Sequence, residues 1–349
     1  MKQTNMIGWD IGGAHIKAAV INSSNEIVAI YQQPCPLWKG LRYLQAAVTQ
    51  ILHETVAGDC YHAITMTGEL VDLFKDREDG VKQIMTSMTQ LLPKNRCLVF
   101  AGLIGFLEVE RVEVEHYNAI ASANWLASAS FAAQKVGSGI FVDIGSTTTD
   151  ILVLKNESVL AEGYTDYQRL ISRELLYTGI IRTAVMAVVQ TASDQGQEIG
   201  IMAEYFATMA DVYRVTGELN ELHDQTDTAD GAEKTLSASA RRLSRMIGSD
   251  FNPEELLRWQ QFAENIRGQH LQKIQNAFDY RIKNEDLPNS SPIIGAGVGR
   301  FLVKYLAQRT ERPYLDFTEL FLTSPLQTGL TAADCAPAVA VACLARAIY

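Results

Sequence analysis

Residues 8–21 read GWDIGGAHIKAAVI, and residues 141–154 read FVDIGSTTTDILVL. Each stretch places Asp-Ile-Gly after an apolar run, follows it with small residues, and returns to an apolar run. A dinucleotide-binding unit or a P-loop opens a helix at its glycine turn. Here AAVI and ILVLK come next instead, and they read as a returning strand. Each copy is therefore predicted to be a β-hairpin with a small, polar tip. Such a tip can aim successive backbone N–H groups at one point, a nest for phosphate oxygens. Glycine lets the backbone approach an anion, and Ser or Thr hydroxyls add donors. A carboxylate at the strand end would repel phosphate directly, so Asp10 and Asp143 are read as holders of Mg2+ or its water. Two unrelated hairpin turns would also contain Gly and Asp. The repetition at the head of each proposed domain favours phosphate binding.

The surrounding chain sets limits on this reading. Its 349 residues suit two domains, expected at 1–135 and 136–349. The apolar share is 47% and the mean hydropathy −0.01, as in soluble globular proteins. A net charge of −10 leaves no basic excess for nucleic acid. The one basic cluster, Arg241, Arg242 and Arg245, reads as a solvated helix face rather than an anion site. Five scattered cysteines without metal or redox spacing point to a reduced, cytoplasmic setting. The N-terminus lacks an apolar signal region, and no run approaches the ~20 apolar residues that span a bilayer.

Along the chain, strands and helices alternate through the first half. EIVAIYQQP reads as a third strand ending at Pro34, and HYNAIASANWLASASFAAQK as one Ala/Ser-rich helix packed closely through its small residues. Helices then dominate from about 166 to 284, an insertion in the second domain. A third glycine turn comes later in PIIGAGVGRFLVKYLAQ, where a strand meets Gly295, Ala296 and Gly297 before a helix. A final apolar helix begins near Pro337. Asp227 and Asp230 in DTADG read as either a second metal site or a simple turn.

Two hairpin nests and a late glycine-rich strand-to-helix turn, in that order, resemble the actin/Hsp70/sugar-kinase superfamily. The resemblance implies an α/β, two-domain actin-like ATPase (ribonuclease H-like) fold with a mainly helical insertion in the second domain. It implies phosphate contacts at Gly12 and Gly13 and at Gly145, Ser146, Thr147 and Thr148. It further implies metal binding through Asp10 and Asp143, and an adenosine-type turn over 293–299. The strings TMTGELVDLFKDREDGVKQI, LLYTGIIRTAV, AEYFATMADVYRVTGEL and DTADGAEKTLSASARRLSRMIGSD narrow the resemblance. They look like a hydantoinase/oxoprolinase-related family linked to tetrahydromethanopterin-dependent one-carbon transfer. His15 stands where that family usually has Asn.

This second resemblance implies a cofactor-building enzyme of methanofuran or methylofuran synthesis. It would join an aminomethyl-furanmethyl diphosphate to the phenol oxygen of a glutamylated tyramine or a tyrosine, releasing diphosphate, with Mg2+. The partners implied are those small molecules, and the chain a monomer or homodimer. A phenol, with an ordinary pKa near ~10, needs a base, for which Glu69 and His15 are the candidates. The alternative for Glu69 is a helix-start carboxylate, and for His15 a loop histidine bound to backbone. Lys17 is either a cation for the site or a surface pair. Arg182 is either a bidentate diphosphate clamp or a helix-surface residue. Two other classes stay open: a kinase or oxoprolinase-type hydrolase using ATP, and a non-catalytic nucleotide-binding scaffold. The absence of any hydroxyl from GGAHIK weighs against ordinary γ-phosphoryl transfer.

Overall fold

The computed structural model describes residues 4–55, 60–93, 96–326 and 328–348. From the N-terminus the chain forms β1 (Asn5–Ile11), β2 (His15–Ile21), β3 (Glu26–Pro34), α1 (Leu41–Glu54), β4 (Cys60–Met66), α2 (Arg77–Leu91), β5 (Cys97–Phe100), β6 (Phe106–Glu108), α3 (Tyr117–Ile120) and α4 (Asn124–Val136). It continues through β7 (Gly139–Ile144), β8 (Thr149–Lys155), β9 (Ser158–Leu160), α5 (Asp166–Ser172), β10 (Leu175–Leu176), α6 (Val185–Val188), β11 (Thr191–Asp194), β12 (Gln197–Gly200), α7 (Met209–Val215), α8 (Leu236–Arg245) and α9 (Leu256–Ile282). It closes with β13 (Ile293–Ala296), α10 (Arg300–Arg309), β14 (Tyr314–Asp316), β15 (Leu322–Thr323) and α11 (Ala336–Arg346).

Two compact units result. Met1–Gly139, Val153–Gln168 and Leu315–Tyr349 form the first, and Ile140–Leu152 with Arg169–Tyr314 the second. The first unit carries a sheet ordered β15-β3-β2-β1-β4-β5-β6. β1 and β2 are the antiparallel hairpin predicted from GWDIGGAHIKAAVI, and β4 adds parallel to β1. Both faces of β1 are covered, which is why NMIGWDI is almost continuously buried. Ile7, Trp9 and Ile11 pack into one core with Val48 and Ile51 of α1. On the other side α11 lies so close that a side chain at Gly8 would put Cβ 1.9 Å from the Ala338 carbonyl.

That close approach corrects the expected domain division. The sequence reading assigns all of 136–349 to the second domain, whereas the C-terminal helix and the segment leading to it pack with the first unit. A glycine inside an otherwise apolar strand marks such an approach of another backbone. The Ala/Ser-rich segment also differs from its prediction. It is two helices, α3 and α4, parted at Ser122, whose φ is +51°.

The second unit is built around β10-β8-β7-β13-β14, with the predicted hairpin at β7–β8 and β13 parallel to β7. Its insertion is mainly helical, as predicted, but includes the β11–β12 ribbon. α9 runs through its core, burying Trp259, Phe262, Ile266, Leu271, Ile274 and Phe278 at helical spacing. Of the Arg241–Arg245 cluster, Arg241 and Arg245 are exposed, as a solvated face requires, and Arg242 is not. Arg242 is fully buried on α8, with Nε 2.8 Å from Asp211 and Nη1 3.0 Å from Asp230. Asp230 also accepts from Arg245 at 3.1 Å, and the DTADG string forms a turn closed by the Gly231 N–H donating to the Thr228 carbonyl at 3.1 Å.

Gly8→Ala is expected to lower unfolding stability by about 2 kcal/mol or more, through overpacking against a backbone carbonyl. Chemical denaturation checks this, and hydrogen exchange should show α11 as the segment that loosens.

Candidate functional site

In the first unit the hairpin tip is closed by the Gly12 N–H donating to the His15 carbonyl at 3.0 Å. The N–H groups of Gly13 and Ala14 have no acceptor among the described residues. Asp10 precedes the tip at the end of β1 and is 8% exposed. Burial raises its pKa from 3.8 to about 6, against the opposing pull of Lys17 and the Asn124 amide. Lys17 stands across the strand pair from Asp10, and its Nζ donates to the Asp334 carbonyl at 2.6 Å. Lys17 is thus a tethered cation beside the carboxylate. His15 begins β2 and is buried, and its carbonyl accepts the Gly12 N–H.

Glu69 lies just beyond β4. The Thr67 N–H donates to the Ile11 carbonyl at 3.0 Å, bringing the Thr-Gly-Glu string against the hairpin. Glu69 is 1% exposed, its Oε1 accepts from Ser122 Oγ at 2.6 Å, and its Oε2 has no partner among the described residues. Burial raises its pKa, and Ser122 and Arg77 oppose the rise. Ser122 Oγ also lies 3.4 Å from Asp166 Oδ2, which Arg77 holds at 2.7 Å. Asn124 Nδ2 reaches Asp10 Oδ1 at 3.4 Å. Thr65, opposite Asp10 on β4, is fully buried with its hydroxyl unpartnered among the described residues. Sequence reasoning missed Ser122 and Asn124, because the α3–α4 break carries no glycine or proline to announce it, and Thr65 and Asp166, which only strand pairing and tertiary contact bring to Asp10 and Ser122.

In the second unit the Gly145 N–H donates to the Thr148 carbonyl at 2.8 Å, the same closure as in the first hairpin. The N–H groups of Ser146, Thr147 and Thr148 have no acceptor among the described residues, and Ser146 and Thr147 add hydroxyls 3.3 Å apart. The string YTGIIRT braces this turn. Ile180 N–H donates to the Gly145 carbonyl at 3.0 Å, and the Ile181 and Arg182 N–H groups donate to that of Ser146. A Cβ at Gly179 would lie 2.5 Å from the Thr147 nitrogen. Arg182 is on this loop and not on a helix surface, with Nη1 3.5 Å from Thr147 Oγ1. Behind it, His270 bridges Thr178 Oγ1 at 2.8 Å and the Tyr213 hydroxyl at 2.7 Å. Burial takes the His270 pKa down to about 3, so that bridge is uncharged at neutral pH.

The third glycine turn meets the second hairpin directly. Gly297 has φ +79°, and a Cβ there would fall 2.3 Å from Asp143 Oδ1. Gly295 and Ala296 lie inside β13, with Gly295 against the Tyr314 ring. The turn itself is therefore Gly297, while the other two pack beneath it.

Among the described residues no three His, Cys, Asp or Glu side chains group to hold a metal. A single carboxylate beside a phosphate nest still suits Mg2+, which keeps several waters and takes phosphate oxygens as further ligands. The buried, weakly hydrogen-bonded Asp10 carboxylate is the observation that favours this fit.

Asp10 also yields a stability prediction. Its folded pKa lies above its unfolded value, so the ionised form disfavours folding. The penalty is absent below pH 4, grows through pH 6, and reaches about 3 kcal/mol above it. Asp10→Asn should therefore be more stable than the parent at pH 8 in the presence of a chelator. The difference should vanish near pH 3.5, as read by denaturation at the two pH values.

Comparisons with known proteins agree with this architecture. Residues 61–337 match the hydantoinase/oxoprolinase family. The (4-{4-[2-(gamma-L-glutamylamino)ethyl]phenoxymethyl}furan-2-yl)methanamine synthase of Methanocaldococcus jannaschii is 31% identical over 306 residues, 86% of this chain and 87% of that one. Nucleotide-free acetone carboxylase is similar in structure with a TM-score of 0.57 at 12% identity, covering 98% of this chain and 70% of that one. A ROK family glucokinase from Streptomyces griseus, in complex with glucose and AMPPNP, gives 0.50 at 15% identity over 98% and 99%. At these identities the structural likeness concerns the fold. The fold is the actin-like α/β ATPase fold, and the chain belongs to the hydantoinase/oxoprolinase family.

Proposed function

We propose that this protein builds a furan-type one-carbon carrier. It joins an aminomethyl-furanmethyl diphosphate to the phenol oxygen of a glutamylated tyramine or a tyrosine and releases diphosphate. The observation that carries the reading is the 31% identity, spread over 86% of the chain, to a synthase whose named product contains that aryl furanmethyl ether. The bond formed joins phenol oxygen to the furanmethyl carbon. The bond broken joins that carbon to the diphosphate oxygen, which departs with the electron pair.

The residues suit the two demands of this reaction. A furanmethyl centre ionises readily, so the enzyme must chiefly stabilise the leaving diphosphate. The N–H groups of residues 146–148, the Ser and Thr hydroxyls and Arg182 provide donors for it in the second unit. The strand-end carboxylate of either hairpin, Asp10 in the first unit or Asp143 in the second, would hold Mg2+, which when bound neutralises charge on phosphate oxygens. The phenol must lose its proton, and Glu69 Oε2 is a buried acceptor without a protein partner among the described residues. Burial makes that carboxylate a stronger base than an exposed one.

The test is incubation of the purified protein with Mg2+ and the furanmethyl diphosphate plus a tyramine or tyrosine acceptor, and separately with Mg2+ and ATP. Diphosphate release with an ether of matching mass supports the proposal. ADP formation that depends on a small acceptor would instead favour a kinase or oxoprolinase-type hydrolase, and neither reaction a nucleotide-binding scaffold. Asp143→Ala should cut turnover at least ~100-fold with unchanged circular dichroism. Glu69→Gln should cut it by about 100-fold or more. Near-parental rates in either variant would remove that residue from its assigned role.

A further inference from the structure

The step between α3 and α4 has a cost and a result. Ser122 occupies the left-handed region at φ +51°, which few non-glycine residues adopt. Strain of this kind concentrates where a side chain must be aimed. Ser122 is itself 5% exposed, and its hydroxyl donates to Glu69 Oε1 at 2.6 Å. The opposite oxygen, Oε2, is left without a partner among the described residues.

We infer that Ser122 is a positioning residue for Glu69: its hydroxyl fixes Oε1 and so presents Oε2 as the acceptor of the phenol proton. This inference rests on the condensation proposed above. Asp166 and Arg77 stand behind the pair. Asp166 Oδ2 lies 3.4 Å from Ser122 Oγ and is held by Arg77 at 2.7 Å. They are also the charged groups that bear on Glu69, Arg77 favouring its ionised form and Asp166 opposing it. A serine donor can hold the carboxylate in place without adding a further charge to this cluster.

The test exploits the backbone. Ser122→Gly keeps the left-handed step, which glycine adopts readily, and removes only the hydroxyl. Loss of a donor to the ionised carboxylate makes Glu69 harder to ionise, so the acid limb of the kcat profile should move to higher pH. At pH values below that limb the rate should be about tenfold lower than the parent, with KM for the diphosphate unchanged and the melting temperature not reduced. Ser122→Asn tolerates the same backbone and restores a donor, so it should bring the limb back toward the parent position. Infrared titration of the Glu69 carboxyl band, assigned by its loss in Glu69→Gln, gives a readout independent of turnover. A midpoint that does not move in Ser122→Gly overturns the inference. A midpoint that moves while the rate profile stays put leaves the contact intact and overturns Glu69 as the base.

Discussion

A carboxylate at the end of a buried strand is hard to ionise, and much of the first unit is arranged around that constraint at Asp10. Lys17 faces it from the paired strand, and Asn124 reaches it only because the preceding helix ends early. Lys17 is in turn tethered to the Asp334 carbonyl, just ahead of α11. α11 then lies along β1 at the level of Gly8. The return of the C-terminal segment to the first unit thus does two things. It covers the second face of the central strand, and it fixes the cation that keeps Asp10 from shifting further toward its neutral form.

Much of this was legible in the sequence where a local pattern forced the outcome. The returning strands after each Asp-Ile-Gly, the strand ending at Pro34 and the strand-turn-helix at Gly297 all arise from alternation and turn residues. The polar cores were not legible. Arg242 lies in a run of arginines that reads as surface, and it is buried because Asp211 and Asp230 arrive from elsewhere in the chain. Ser122 and Asn124 lie in a stretch of alanines and serines with good helix formers on either side. Only tertiary contact with Glu69 and Asp10 explains why the helix breaks there.

The asymmetry between the two hairpin tips has a steric cause within the first unit. A side chain at Gly13 would meet Val71 Cγ1 at 2.7 Å, so the position where the second hairpin carries Ser146 is closed to one. Val71 belongs to the same short segment as Glu69, which sits on the hairpin through the Thr67–Ile11 bond. At that one position the first tip gives up a side chain to accommodate the segment that carries Glu69.

The second hairpin is braced in the corresponding way by a Thr-Gly string, since Gly179 lies against Thr147 and Ile180 bonds to Gly145. The charges carried just past the two Thr-Gly pairs are opposite: Glu69 after Thr67-Gly68, and Arg182 shortly after Thr178-Gly179. One brace therefore carries a proton acceptor beside a hydroxyl-free turn. The other carries a cation beside a turn rich in N–H and hydroxyl donors. Both turns keep backbone N–H donors, at Gly13 and Ala14 and at residues 146–148, and only the second adds hydroxyls. The two braces thus differ in charge, the first holding a fully buried carboxylate and the second a guanidinium near the Thr147 hydroxyl.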